Sequence, residues 1–164
     1  MKRYSFPDIK GNALLPSNVD MLFTSSPGLL ASVDDYYQTY KEGLESQLVV
    51  IETSLDVFDH RVLASIQPHS VLSWMRSRLS NQMARTGPQW AQYFGTFHSG
   101  TYTNQWMVID LNKFTVGAPP EEGFLIVLEE IPGLVHWEDM TANFTVRFSF
   151  ASMLYQIVIL TVTV

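Results

Sequence analysis

The sequence predicts an α+β fold in which antiparallel sheets are covered by helices. Apolar, β-branched runs stand at 47–53, 106–110 and 124–128. Continuous runs of that length suit strands covered on both faces. Between the first two lies one clear stretch of helical periodicity, beginning near His69. Strands, a helical pair and strands again make layers of sheet and helix rather than a regularly alternating parallel sheet.

Taken in order, residues 1–20 are rich in turn formers, with Pro7, Gly11, Asn12, Pro16 and Asn18, and are expected to be a loop or partly ordered arm. Met21-Leu22-Phe23 reads as a short strand running into the turn Thr24-Ser25-Ser26-Pro27-Gly28. Val33 to Tyr37 reads as a strand edge, and Gln47 to Thr53 as a stronger strand. In the helix, Val71, Met75, Leu79 and Met83 recur every four residues beside Leu72, and polar residues fill the other face. Ser70 is the expected N-cap. Gly87 ends the pattern, and Pro88 opens a shorter helix carrying Trp90 and Phe94. Trp106 to Asp110 and Phe124 to Leu128 follow as strands, separated by a loop with Gly117, Pro119 and Pro120. Ile131-Pro132-Gly133 marks a turn. The last 17 residues, Phe148 to Val164, carry no charge. A membrane helix needs roughly 20 apolar residues, and Ser, Gln and Thr interrupt this run, so it reads as a buried strand and no transmembrane helix is expected.

The chain has 164 residues, 46% of them hydrophobic and 13% aromatic, enough to bury a core. A formal net charge of −6 without a basic stripe argues against nucleic acid as a partner, since phosphate binding rests on clustered Lys and Arg. Arg76, Arg78 and Arg85 form a basic cluster at helical spacing, expected to be a solvated face. With no cysteine, the chain has no disulfide, no thiolate metal site and no thiol nucleophile. The N-terminus carries two basic residues but no apolar core behind them, so no signal peptide is read in this chain.

Chemistry-bearing patterns are few. His60, His69, His98 and His136 make no HxH or HxxxH pair, so no metal site is expected. Asp34-Asp35 and Glu129-Glu130 are adjacent pairs that a strand would point to opposite faces, which favours solvated or capping roles over a two-carboxylate site. No GxSxG elbow, P-loop or dinucleotide fingerprint occurs. His98-Ser99 is weak geometry for a nucleophile and its base, and a satisfied structural histidine is expected there. The segment Phe97 to Met107 stands apart. It concentrates hydroxyls, amides and aromatics in a turn feeding a strand, a composition suited to a polar pocket wall with apolar backing. Asn104 offers an NH2 donor able to stabilise a developing oxyanion. The competing reading is a hydrogen-bonded turn whose amides tie down loop backbone.

Ser99-Gly100-Thr101-Tyr102-Thr103-Asn104-Gln105-Trp106-Met107 resembles the SGTYNNQWM signature of the phospholipase B-like family, with Thr103 where the family usually has the first of two asparagines. Phe23 to Gly28 is similar to its FSSYPG, Asp34 to Tyr37 to its DDFY, Leu48 to Ser54 to its LVVLETT, and Leu125 to Gly133 to its LTVLEQIPG. Val71 to Arg76 is similar to its helix opening. Asp139 to Ala142 and Phe150 to Ser152 resemble DKTA and WAS. The likeness runs in order from about residue 20 to residue 152, which frames an arm over 1–20, a partial family domain over 21–152 and a divergent hydrophobic tail over 153–164.

The resemblance implies an N-terminal nucleophile hydrolase fold, an αββα sandwich of two stacked antiparallel sheets between helix layers. In that scheme self-cleavage exposes a cysteine whose thiol attacks while its own α-amine serves as base. It implies an acyl ester or amide substrate, with phospholipid deacylation the usual assignment, no cofactor, and a lysosomal or secreted location. The family's nucleophilic cysteine lies upstream of the matched region, so the implied partners are a phospholipid or other acyl substrate and the missing N-terminal part of the same protein. Carried over position by position, Asn104 is the oxyanion or substrate-orienting candidate, and Asp35, Thr53, Thr103 and Trp106 are pocket candidates. Asn143-Phe144-Thr145 reads as an N-glycosylation sequon, in keeping with a secretory origin. The alternative is a non-catalytic lipid- or partner-binding paralogue that keeps the fold.

Overall fold

The structure is a computed structural model that describes residues 2–6, 19–24, 36–41 and 46–143. Among the described residues seven strands form one antiparallel sheet in sequence order: β1 (Lys2–Phe6), β2 (Val19–Phe23), β3 (Tyr36–Lys41), β4 (Ser46–Ser54), β5 (Asn104–Asp110), β6 (Leu125–Ile131) and β7 (Leu134–Asp139). Between β4 and β5 the chain makes a 3-10 turn (His60–Ser65) and two helices, α1 (Ser73–Met83) and α2 (Gly87–Gly95). The class is therefore α+β, and the described residues build one antiparallel sheet with a helix layer, as expected for part of a layered sandwich.

Side chains alternate across a strand, so the sheet has two distinct faces. The helix-covered face buries Leu48 and Val50 of β4, Trp106 and Val108 of β5, and Ile126 and Leu128 of β6. Trp90, Ala91 and Phe94 of α2 complete it. The Trp90 ring stacks on Phe94 at 4.8 Å and tilts against Trp106 at 5.4 Å. Aromatic pairs in this range contribute about 0.5–1.5 kcal/mol beyond the area they bury. The other face carries Val49, Ile109 and Phe124, flanked by Ile51, Leu125 and Phe114. Apolar residues on both faces explain why β4 to β6 read as continuous runs.

The second helix starts as its sequence dictates. Thr86 accepts from the Gln89 amide as N-cap, and Pro88 occupies the first turn. Gly87 is required by contact, since a Cβ there would lie 2.6 Å from Ile126 Cγ1. The β6–β7 hairpin turns on Pro132-Gly133, with Gly133 at a φ of 79° that favours glycine.

Several expectations are corrected. Lys2–Phe6 is a strand within the stretch expected to be a loop or partly ordered arm; it pairs with Val19–Phe23, and the turn formers lie between the two. Strand β7 is an edge strand that buries almost nothing, so it has no apolar alternation to betray it. Ser70 does not cap α1, because its hydroxyl donates to Gln67 O while the Val71 amide donates to Phe97 O. The helix starts three residues later, after Leu72, with no side-chain cap. The apolar stripe of α1 does not face the sheet. Ser73, Arg76, Ser77, Ser80 and Asn81 are buried instead, while Leu72, Met75 and Leu79 are exposed. Arg76, expected on a solvated face, is 2% exposed. The uncharged stretch read as a strand, Phe148 to Val164, lies outside the described residues.

Candidate functional site

Three buried polar residues of the helix-covered face, Glu52, Asn104 and Glu130, gather at the end of the sheet where β4 finishes and β5 begins. In β4 the face-forming positions are Leu48, Val50 and then Glu52, so alternation turns a carboxylate inward where the next apolar residue would stand. Asn104 opens β5 on the same face, two residues before Trp106. Across the next strand Asn104 pairs with Glu130. Two buried carboxylates therefore flank one buried amide.

Each is held by specific partners. The Asn104 Nδ2 donates to Glu52 Oε2. Tyr102 donates its hydroxyl to the other oxygen, Glu52 Oε1, at 3.2 Å. Glu130 accepts from Arg76 Nη2 at 2.9 Å and from Trp106 Nε1 at 3.5 Å. Arg76 also donates to the Val71 and Phe94 carbonyls at 2.9 and 2.7 Å and to Ser73 Oγ at 2.9 Å. Its guanidinium lies 4.3 Å from the centroid of the Phe94 ring. One arginine thus bolts α1 to β6 and closes the carbonyl end of α2. Burial pushes the Glu130 carboxyl up and the Arg76 guanidinium down, and the charge of each partner opposes both shifts. The ion pair survives burial because every guanidinium nitrogen is satisfied.

His98 borders this network. It bridges to Val71 beside the start of α1, and its Nε2 lies 3.7 Å from Glu130 Oε2, too far for a hydrogen bond. Burial and the Arg76 charge hold its pKa below the ordinary histidine value, against a hydrogen bond to the Ile131 backbone. Its Nε2 and the Asn104 Oδ1 are buried without partners. The expected satisfied histidine is thus satisfied on one side only.

The unpartnered oxygen of Asn104 decides what the amide can do. With Nδ2 committed to Glu52, the orientation of the amide is fixed, and the atom left over is an acceptor. An orphaned buried carbonyl oxygen costs about 1–3 kcal/mol, a cost relieved by any ligand group that brings an N–H or O–H to it.

The other sequence candidates fall in different places. Trp106 lies on the same face, in the core, and donates to Glu130 Oε1. Thr103 donates to Leu55 O at 2.6 Å while its own carbonyl accepts the Leu55 amide, so it ties the exit of β4 to the entry of β5. Thr53 is exposed and, one residue from Glu52, points to the opposite face, where it pairs with Gln105. Asp35 lies outside the described residues. Asn143 is exposed, while the rest of its sequon is outside the described residues. Glu52 and Glu130 were missed as site residues. Glu130, expected with Glu129 to be solvated or capping, is 0% exposed. The sequence held a signal for Glu52, whose parity with Leu48 and Val50 places it on their face. Among the described residues no three His, Asp or Glu side chains come together to hold a metal ion, and no helix is long and apolar enough to cross a membrane.

Comparison with known proteins places this geometry in a sequence context. The phospholipase B family model matches residues 1–153. Phospholipase B-like protein C of Dictyostelium discoideum is 42% identical over 127 residues, covering 76% of this chain and 21% of that protein. Phospholipase B-like 1 of Bos taurus is 40% identical over 126 residues, 77% of this chain and 22% of its own length. Phospholipase-B 81 of Drysdalia coronoides is 41% identical over 119 residues, 73% of this chain and 21% of its own length. The chain spans about a fifth of the length of these curated relatives.

Proposed function

The chain belongs to the phospholipase B family, and from that premise we propose that it forms the substrate-orienting wall of a phospholipid acyl-ester pocket without supplying the nucleophile. Asn104 is the residue that orients. Its Oδ1 accepts a hydrogen bond from a donor on the substrate or on an attacking group, and Glu52 and Tyr102 fix the amide in the attitude that presents that oxygen. The single observation behind this reading is the buried, unpartnered Oδ1 on an amide whose nitrogen is locked to a carboxylate. That arrangement favours orientation over the oxyanion-donor role that the residue type suggests, because a donor nitrogen held by an anion is a weaker donor to a second one.

Chemistry at the ester then needs a nucleophile from another stretch of polypeptide, since the chain has no cysteine. The same absence favours a second reading, a paralogue that binds lipid or a partner without cleaving. Both readings predict binding. They part when the chain is combined with a cysteine-bearing N-terminal portion of a family member, which restores turnover only under the first. The lysosomal or secreted location belongs to the same proposal, supported by the sequon at Asn143.

Binding of a non-hydrolysable ether lysophospholipid, below its micellar concentration, tests the proposal. Saturable binding that weakens about tenfold in Asn104→Ala is expected, the equivalent of one lost hydrogen bond to a buried group. Fatty-acid release from a phospholipid by the chain alone, lost in Asn104→Ala, would refute the missing-nucleophile reading, and binding unchanged in that variant would refute the role of Asn104.

A further inference from the structure

The inner side of α1 carries polar groups that the Arg76 bolt does not use. Thr39 of β3 and Ser80 and Asn81 of α1 are 0%, 1% and 0% exposed. Thr39 Oγ1, Ser80 Oγ and Asn81 Nδ2 have no hydrogen-bond partner among the described residues. Asn81 Oδ1 is taken by the Trp90 indole at 2.7 Å, which fixes the amide and leaves its NH2 as a committed donor on the other side.

Two contacts bring these three groups together. Ser77 Oγ meets the Tyr37 hydroxyl at 3.4 Å, and just past the end of α1 Ser46 Oγ donates to Arg85 O at 2.9 Å. Ser46 pairs with Lys41, so α1 runs along β3 in the direction from Tyr37 to Lys41. The chain rises about 12 Å from Ser77 to Arg85 at helical spacing. It rises about 13 Å from Tyr37 to Lys41 at strand spacing. The two elements keep step, and Ser80 and Asn81 fall midway along one as Thr39 falls midway along the other. Thr39 shares the face of Tyr37, two residues away, and stands opposite the core residue Leu48. Buried polar groups in folded proteins find partners. One amide donor and two hydroxyls carry no charge, so they suit neither a metal cation nor an anion. They suit water, which accepts from the amide and exchanges hydrogen bonds with both hydroxyls. Three such partners are what an internal water usually has.

We propose that Thr39, Ser80 and Asn81 bind a single water molecule between α1 and β3 as a structural part of the helix layer. The water joins the polar face of α1 to β3, as the Arg76–Glu130 pair joins it to β6. The site is independent of the pocket reading. Along β4 the Thr39 row stands at Leu48 and the Asn104 row at Ser54, so about 20 Å of strand separates the two.

The sign of one substitution tests it. Thr39→Val keeps the shape of the side chain and removes its hydroxyl. With the water bound, the change lowers the folding equilibrium constant of the full chain about fivefold in urea unfolding, the effect of one lost hydrogen bond. In a dry seam the same change removes an unpaired polar group and raises the constant. A high-resolution crystal structure of the full chain gives a second readout that needs no variant. Density for a water within hydrogen-bonding distance of Thr39, Ser80 and Asn81 is expected. A Thr39→Val chain as stable as the unaltered one or more so overturns the proposal. So does a crystal structure in which the two hydroxyls bond to each other or to backbone with no water between them.

Discussion

The two helices lie side by side on one sheet and turn opposite characters toward it. The second helix buries Trp90, Ala91 and Phe94 and meets the sheet as a hydrophobic layer. The first buries Ser73, Arg76, Ser77, Ser80 and Asn81 and leaves Leu72, Met75 and Leu79 outside. Small serines let α1 approach closely, as where Ser77 Oγ meets the Tyr37 hydroxyl at 3.4 Å. The Arg76–Glu130 pair fixes its rotation. The contrast teaches that periodicity identifies a helix and its stripe but not the side that faces the core. A buried ion pair with every donor satisfied can reverse the choice that hydrophobicity alone would make, and here the reversal leaves an apolar ridge outside.

The strongest way to break the comparison is to remove the packing of α2. Trp90→Ala is expected to cost about 4–5 kcal/mol, since it deletes a fully buried ring and leaves Asn81 Oδ1 without its 2.7 Å donor. Urea unfolding measures it. Next comes the bolt of α1. Glu130→Ala should cost about 3–5 kcal/mol by stranding the Arg76 charge. Arg76→Met combined with Glu130→Leu should recover much of that loss, because an apolar pair removes both buried charges. If the double variant is as unstable as the sum of its single changes, the pair does more than neutralise itself.

How much of this was legible in the sequence follows from where side chains are buried. Strands β4, β5 and β6 carry apolar residues on both faces, so composition alone marked them. The start of α2 was written in Gly87-Pro88, and the last hairpin in Pro132-Gly133. Strand β7 was silent because His136 and Glu138 face solvent. At the site, Asn104 and Trp106 were legible from the motif around them, but their partners were not. Glu52 lies 52 residues from Asn104, and only the β4–β5 register brings them together. A shift of one position separates buried Glu52 from exposed Thr53, so a motif read without the register points to Thr53 and passes over its neighbour. The rotation of α1 depends on Glu130, 54 residues away, and no local pattern encodes it.

A subtler effect comes from His98, which touches both the bolt and the start of α1. Its folded pKa lies below the unfolded value near 6.5, because burial and Arg76 disfavour the imidazolium. The folded state therefore binds the proton less well. The stability it contributes is complete above that value and is lost as pH falls through the depressed folded pKa. Glu130 and Asp110, with raised values, act in the opposite sense, as their contributions fade when pH rises. Subtracting the profile of His98→Gln from that of the unaltered chain isolates the histidine. The difference should grow below about pH 6, and a flat difference would remove His98 from the network. The smallest effect belongs to the outer ridge, where Leu79→Ser should change stability by no more than about 0.5 kcal/mol, because the side chain is already half in water. A loss of about 2 kcal/mol, the scale of a core leucine, would show that the ridge is covered.

The account stands most directly on the link between Glu52 and Asn104. A double-mutant cycle of Glu52→Gln and Asn104→Ala, read as affinity for the ether lysophospholipid, measures it. A coupling of about 1 kcal/mol or more is expected if the carboxylate holds the amide for its ligand. Additive effects, with Glu52→Gln alone binding like the unaltered chain, would show that Glu52 does not hold Asn104 for its ligand.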